Sequence, residues 1–263
     1  MTQRHWALIL GASSGFGEAT ARAMARDGWN IFGVHLDRRS AQAHVDEIKA
    51  DIEKAGGEAV FFNANAAKEE KRAEIVAAIA DKLAGSDAEV RVLMHSIAFG
   101  TLKPLVADEP NDRISKMAMD MTLDVMANSL VYWAQDLVSK KLMKAGGRVF
   151  AMTSAGSRVI WKSYGAVSAA KSALESHCRQ LAVELGSLGI TANAILAGVT
   201  DTPALRKIPG NEQMMEAAKA RHPRGRLTTP EDVAKAITLL SRPEADWISG
   251  NTILVDGAET IAG

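Results

Sequence analysis

The chain has 263 residues, with 31 Lys plus Arg against 31 Asp plus Glu and 47% hydrophobic residues. That balance gives no net field to draw nucleic acid or an acidic membrane surface, and the length suffices for a sizeable core in one or two domains. The single cysteine, Cys178, rules out an intrachain disulfide and fits a reducing compartment.

Apolar runs alternate with helix-length segments from end to end. Strands are predicted at 6–10, 30–35, 59–63, 90–95, 147–153, 191–196 and 252–255, and helices near 16–27, 40–55, 68–84, 111–144, 163–187 and 230–241. The 6–10 run is too short for a signal peptide or a membrane span, so a cytoplasmic protein without a membrane partner is expected. Strands separated by helices of this length predict an α/β fold, a single-domain Rossmann-like doubly wound parallel sheet with helices on both faces. No linker or repeat divides residues 1–263. The stretch from Ala197 to Arg226 is the least regular, with Pro203, Pro209 and Pro223. A long insertion after the carboxyl end of a strand usually shapes a cleft, and 199–226 reads as a substrate lid.

Gly11, Gly15 and Gly17 follow the first strand in a Gly-x3-Gly-x-Gly spacing and open the first helix. Glycines permit a tight turn, and the helix N-terminus offers N–H groups and partial positive charge to a pyrophosphate. Ser13 and Ser14 add hydroxyls, and Phe16 lies in the same turn. About 20 residues beyond such a loop, an acid holds the ribose 2′-hydroxyl of NAD, whereas arginine accommodates the 2′-phosphate of NADP. Here the segment is Val34-His35-Leu36-Asp37-Arg38-Arg39, with His35 at the acid's position. Arg38 and Arg39 form a candidate phosphate clamp, which favours NADP. NAD held through Asp37 is the rival, and an exposed Asp-Arg pair without a ligand is the third possibility.

Tyr164 precedes Lys171 by seven positions. That is close to two turns of a helix with about 3.6 residues per turn, so both side chains are expected on one face. An ammonium beside a phenol favours its ionisation, which makes the pair a candidate proton donor. Ala169, Ala170, Ala173 and Leu174 predict that Lys171 is buried. Ser154 is either a catalytic hydroxyl or a strand-end group satisfying the backbone. His95 reads as a satisfied strand-end histidine, and Tyr132 and Trp133 as packing residues. No His/Cys/Asp/Glu cluster has metal-ligand spacing, so no metal is expected.

With these residues together, the chain resembles the short-chain dehydrogenase/reductase family over nearly its whole length. The resemblance rests on Gly11 to Gly17, on Asn65 after the third strand, on Ser154 seventeen positions before Lys171, and on Ile253-Leu-Val-Asp256-Gly257. Three features depart from the family's carbonyl reductases. The usual tyrosine position holds Val167, one helical turn after Tyr164. The segment after the fourth strand is His95-Ser96-Ile97-Ala98-Phe99-Gly100. Met126 aligns with the family's helix asparagine. All three departures are similar to enoyl-acyl-carrier-protein reductases, and with the Gly198 to Leu205 segment they look most like the type III enzymes.

The resemblance implies NADPH-dependent reduction of a trans-2-enoyl thioester in fatty-acid synthesis, with the substrate on acyl carrier protein. It implies that Tyr164 faces the thioester oxygen, that Lys171 meets the nicotinamide ribose, and that Asn65 contacts adenine. Ser96, Ile97 and Ala98 would border the cofactor. Backbone at Gly198, Val199 and Thr200 would meet the nicotinamide amide, and the hydroxyls of Thr200 and Thr202 the pyrophosphate. A homotetramer built through 111–144 and 163–187 is also implied. Within the lid, Met214 and Met215 are candidate acyl-slot residues or helix core. Arg206, Lys207, Arg221, Arg224 and Arg226 either receive the acidic carrier or form a plain charged surface. Two alternatives stay open: another short-chain reductase acting on a carbonyl or enoyl-CoA, and a non-catalytic NADP-binding sensor.

Overall fold

A computed structural model describes residues 5–262. Seven strands, β1 (Trp6–Leu10), β2 (Asn30–His35), β3 (Ala59–Asn63), β4 (Val90–His95), β5 (Arg148–Thr153), β6 (Thr191–Ala197) and β7 (Thr252–Val255), form one sheet in the order β3-β2-β1-β4-β5-β6-β7. Every pairing is parallel. The helices are α1 (Gly15–Arg26), α2 (Gln42–Lys54), α3 (Glu69–Leu83), α4 (Lys116–Leu123), α5 (Ser129–Ser139), α6 (Gly165–Gly186), α7 (Asn211–Arg221) and α8 (Pro230–Leu240). The doubly wound sheet expected from the alternation is present. Among the described residues no helix is long and apolar enough to cross a membrane.

Side chains alternate across a strand, so a strand buried on both faces must be apolar throughout. β1 does this: Leu8 and Leu10 join the layer with α3, α5 and α6, while Ala7 and Ile9 join the layer with α1, α2 and α8. Trp133 fixes α5 to the sheet's edge, fully buried, with its Nε1–H donating to the Ala66 carbonyl at 2.8 Å.

Two predicted elements differ. The helix predicted over 111–144 begins only at Lys116, where the Ser115 hydroxyl accepts from the Ala118 N–H, and it ends at Ser139. Between α4 and α5 the helix widens into a π turn over Asp124–Asn128, a distortion that often marks a functional site. The stretch read as irregular contains α7, whose residues Glu212, Met214, Met215, Ala217 and Ala218 are good helix formers. Only Ala218 of α7 is fully buried, so no apolar stripe announced it. By contrast, α8 starts where expected, on a Thr229–Asp232 capping box with Pro230 in the first turn.

Candidate active site

In an open parallel sheet, ligands bind at the carboxyl edge where the strand order reverses. Here that point lies between β1 and β4. The turn after β1 is built by close approach. A Cβ on Gly17 would lie 2.0 Å from the Gly11 carbonyl oxygen, and one on Gly11 would lie 2.3 Å from the Ser96 carbonyl oxygen. Gly11 also has φ +90°. Glycine at both positions therefore seats α1 on the turn and the turn on the segment after β4. A Cβ on Gly15 would touch the Thr202 methyl at 3.5 Å, so the glycine turn, Ser96 and the start of the 199–226 segment converge. The Ser14 side chain makes no cap on α1, which leaves the first-turn N–H groups without a side-chain partner from the cap residue. The Phe16 ring packs against the apolar layer beneath.

The cofactor-selective corner has more structure than its sequence indicated. His35 is buried and its Nδ1 lies 2.9 Å from an Asp37 carboxylate oxygen. The Asn63 side chain accepts from the Asp37 N–H and donates to the Asp37 carbonyl. Arg38 and Arg39 are exposed and make no ion pair among the described residues. Asn65 accepts from the Ala67 N–H through its own side chain, closing a local turn after β3.

The segment from β5 into α6 carries the second half of the site. Tyr164 is the residue that caps α6, not a residue within it, and Ser163 before it holds a left-handed φ of +62°. Such strain persists only where the surroundings over-determine it. The Tyr164 ring lies on Gly156, where a Cβ would come within 2.4 Å of its Cε1. Burial pushes the phenol above its ordinary pKa, with the neighbouring Ser154 hydroxyl opposing the rise. Ser154 Oγ is buried yet makes no hydrogen bond of sound geometry, so its contact with the phenol is close but not ideally aligned. The phenol was expected to be acidified by Lys171; instead it is held protonated.

Lys171 is buried, and its Nζ donates to the Met152 carbonyl at 2.7 Å. Burial brings its pKa down to about 8, while Cys178 and Glu175 beside it oppose the fall. Glu175, one helical turn beyond Lys171, was missed in the sequence. Its Oε1 accepts from the Thr153 hydroxyl at 2.7 Å and the Ser157 hydroxyl at 2.8 Å, tying the loop around Ser154 to α6. Its offset of four from Lys171 was the available signal.

His95 is fully buried, with Nε2 2.9 Å from Ser129 Oγ and Nδ1 without a partner among the described residues, so it is only half satisfied. Burial, then the nearby Lys171 charge, lower its pKa to about 3 and keep it neutral. Met126 and Val167 meet around Gly100, where an added Cβ would come within 2.7 Å of Val167 Cγ2 and 3.2 Å of Met126 Sδ. The family's usual tyrosine position is thus enclosed among apolar atoms.

Within 199–226, Thr200 is buried and its hydroxyl donates to the Gly198 carbonyl, and Thr202 Oγ1 accepts from the Leu205 N–H. Met214 and Met215 are half-buried. Arg206 and Arg226 are paired with Asp201 and Asp232. Sequence reasoning also passed over the apolar side chains exposed on the loops after β4 and β5, namely Phe99, Leu105, Val106, Val159 and Ile160. No periodicity exposes such residues, because they serve no core face. Among the described residues no group of three His, Cys, Asp or Glu stands where it could hold a metal.

A parallel sheet with a glycine turn at its switch point, and beside it a buried lysine with a half-buried tyrosine and serine, is the architecture of a dinucleotide-dependent oxidoreductase. The glycine cradle, which a Cβ would fill, and the buried ammonium of Lys171 fit such a cofactor. A family model described as Enoyl-(Acyl carrier protein) reductase matches residues 11–258. The chain belongs to the short-chain dehydrogenase/reductase family of nicotinamide-dependent oxidoreductases. It is 30% identical to 1-cyclohexenylcarbonyl-CoA reductase of Streptomyces collinus over 98% of this chain and 88% of that protein. It is 28% identical to cyclohexanol dehydrogenase of Acinetobacter sp. (strain SE19), over 97% of this chain and 94% of the other. The fold matches the enoyl-[acyl-carrier-protein] reductase (NADH) of Aquifex aeolicus VF5 with a TM-score of 0.85 at 23% identity, covering 98% and 97% of the two chains.

Proposed function

We propose that this protein reduces the trans-2 double bond of an enoyl thioester with NADPH, as an enoyl-acyl-carrier-protein reductase of fatty-acid synthesis. The observation that carries the reading is the Tyr164 phenol, half-buried beside Ser154, while the Val167 position is closed among Met126 and Gly100. In a ketone, the oxygen that gains charge sits on the carbon that accepts hydride. In an enoyl thioester it lies farther along the conjugated chain, and a donor set one turn earlier suits that separation.

Bound nicotinamide supplies the hydride. Tyr164, kept protonated by its burial, donates a hydrogen bond to the thioester oxygen as enolate charge gathers there. Lys171, with a pKa of about 8, is mostly charged at neutral pH, and an ammonium has three donors, of which the Met152 carbonyl takes one. The others serve the nicotinamide ribose. Gly156 gives the phenol ring its seat, with the Ser154 hydroxyl beside it. The exposed apolar side chains Phe99, Leu105, Val106, Val159 and Ile160 suit an acyl chain, and Leu105 packs directly on Gly165 next to Tyr164. The 199–226 segment closes over that chain as a lid, with Met214 and Met215 on its helix.

NADPH is assigned because Arg38 and Arg39 have no ion-pair partner among the described residues, whereas the Asp37 carboxylate is already engaged by His35. The ratio of kcat/KM for NADPH over NADH measures this directly, and Ala at both arginines is expected to invert it. Lys207, Lys219 and Arg224, which make no ion pair among the described residues, are the lid cations left for an acidic carrier. We assign a homotetramer through α4, α5 and α6, where Met117, Met121 and Val183 are exposed; light scattering tests it.

The name of the Streptomyces collinus relative denotes an unsaturated acyl thioester of coenzyme A, which favours an enoyl-CoA reductase as the second reading. Steady-state assays with crotonyl-acyl carrier protein, crotonyl-CoA and acetoacetyl thioesters separate them. Crotonyl turnover on the carrier protein supports the first reading, and turnover on coenzyme A alone supports the second. NADPH oxidation by the ketone alone overturns both.

A further inference from the structure

Glu259, beyond β7, is 4% exposed, and a carboxylate is seldom so buried unless it is paired. Its partners are both on the 199–226 side of the molecule. Oε2 accepts from the Val199 N–H at 2.9 Å, and Oε1 lies 3.4 Å from the Arg221 guanidinium at the end of α7. The fit is tight: a Cβ on Gly198 would meet Glu259 Oε2 at 2.6 Å and the Thr228 hydroxyl at 2.4 Å.

The turn that delivers Glu259 is strained and held in place. Gly257 and Ala258 both have left-handed backbone, φ +60° and +74°, which costs an alanine energy unless the surroundings fix it. The buried Asp256 carboxylate accepts from the Ala258 N–H and the Thr260 N–H, and burial's tendency to raise its pKa is outweighed by these bonds. His222, which follows Arg221, is buried against Gly257, where a Cβ would lie 2.7 Å from its ring. Two consecutive residues at the end of α7 therefore grip the same turn.

We infer that Glu259 is a positioning residue: it fixes the loop Gly198 to Thr202 for the nicotinamide half of the cofactor and links that loop to α7. The inference rests on the reading that this loop faces nicotinamide. It assigns the turn after β7 a share in cofactor binding that is exerted through Val199.

The test compares two ligands on the folded protein by titration: the reduced dinucleotide that wild type binds, and the matching ADP-ribose fragment without nicotinamide. Glu259→Ala should weaken the dinucleotide by about tenfold, the effect expected for losing a hydrogen bond to a charged group. The fragment should bind as to wild type. Glu259→Gln keeps an acceptor for the Val199 N–H and should recover most of the loss. Equal weakening of both ligands, or an unchanged dinucleotide affinity, overturns the proposal. Should Glu259→Ala fail to fold, Glu259→Met, which keeps the side-chain volume but has no oxygen to accept from the Val199 N–H, carries the same comparison; an unchanged dinucleotide affinity there is equally fatal. Wild-type protein that binds the fragment and dinucleotide equally well sinks the nicotinamide reading of the loop, and the inference with it.

Discussion

The turn after β1 and the segment from β5 into α6 flank the same crevice but are made of different material. The first is backbone: Gly11 and Gly17 matter for the side chains they lack, since any Cβ would collide with a carbonyl oxygen. The second is side chains, namely Ser154, Tyr164, Lys171 and Glu175, and their properties come from burial. A backbone site is specified by local geometry. A side-chain site is specified by what the rest of the fold places around it.

The largest expected effect separates the two. Tyr164→Phe leaves every backbone atom in place and should lower kcat for crotonyl thioester reduction by about 100- to 1,000-fold, as for loss of one preorganised donor. Cofactor affinity should not change. A loss smaller than about tenfold in steady-state kinetics would remove the phenol from the chemistry.

Gly17→Ala is the converse, since it removes no functional group. Its new methyl would meet the Gly11 carbonyl, and overpacking of this kind costs about 1–3 kcal/mol or more. Thermal unfolding should drop by several degrees and dinucleotide affinity should fall with it. Unaltered stability would mean that α1 is not seated as described.

Gly156→Ala sits between the two cases, because its methyl would press on the Tyr164 ring at 2.4 Å. Displacing a positioned donor by a fraction of an ångström should cost about tenfold in kcat, with little change in cofactor affinity. If KM for cofactor moves instead, the ring's position is not what matters.

The smallest effect is a pH dependence with two signs. Lys171 has a folded pKa of about 8 against an ordinary 10.5. The folded protein sheds this proton before the unfolded chain does, so the cost of the buried charge is present in full below pH 8 and is relieved as pH rises. Stability should therefore rise by about 1 kcal/mol per unit above pH 8, relative to Lys171→Met, in denaturant titrations. Above pH 9 Cys178 works the other way: burial raises its thiol to about 12, and stability falls as the unfolded thiol ionises. Activity should decline over pH 8 to 9, where stability gains. Activity and stability moving together would show that the ammonium is not needed.

The sequence and the structure agree most where constraint is local. The seven strands lie within a residue of their predicted ends, because parallel strands buried on both faces must be continuously apolar. The start of α8 was legible in Thr229, Pro230 and Asp232, since capping is a contact between near neighbours. α7 was not, because a helix that lies on the surface without a core stripe leaves no periodic trace. The π turn between α4 and α5 was equally hidden. It lies beside His95 and Ser129, a contact spanning 34 positions that no local pattern encodes.

By itself, the sequence determined the order of elements and the glycine turn, which follow from periodicity and the missing Cβ. It offered Tyr164 and Lys171 as candidates through their spacing, and Ser154 through the family resemblance. The tertiary structure alone decided how those groups are charged. It turned the phenol from an expected acid into a protonated donor, lowered Lys171, closed Val167 against Met126, and brought Glu259 under Val199. Desolvation and long-range contacts depend on which distant segments exclude water around a side chain, and that is settled only when the whole sheet and its helices come together.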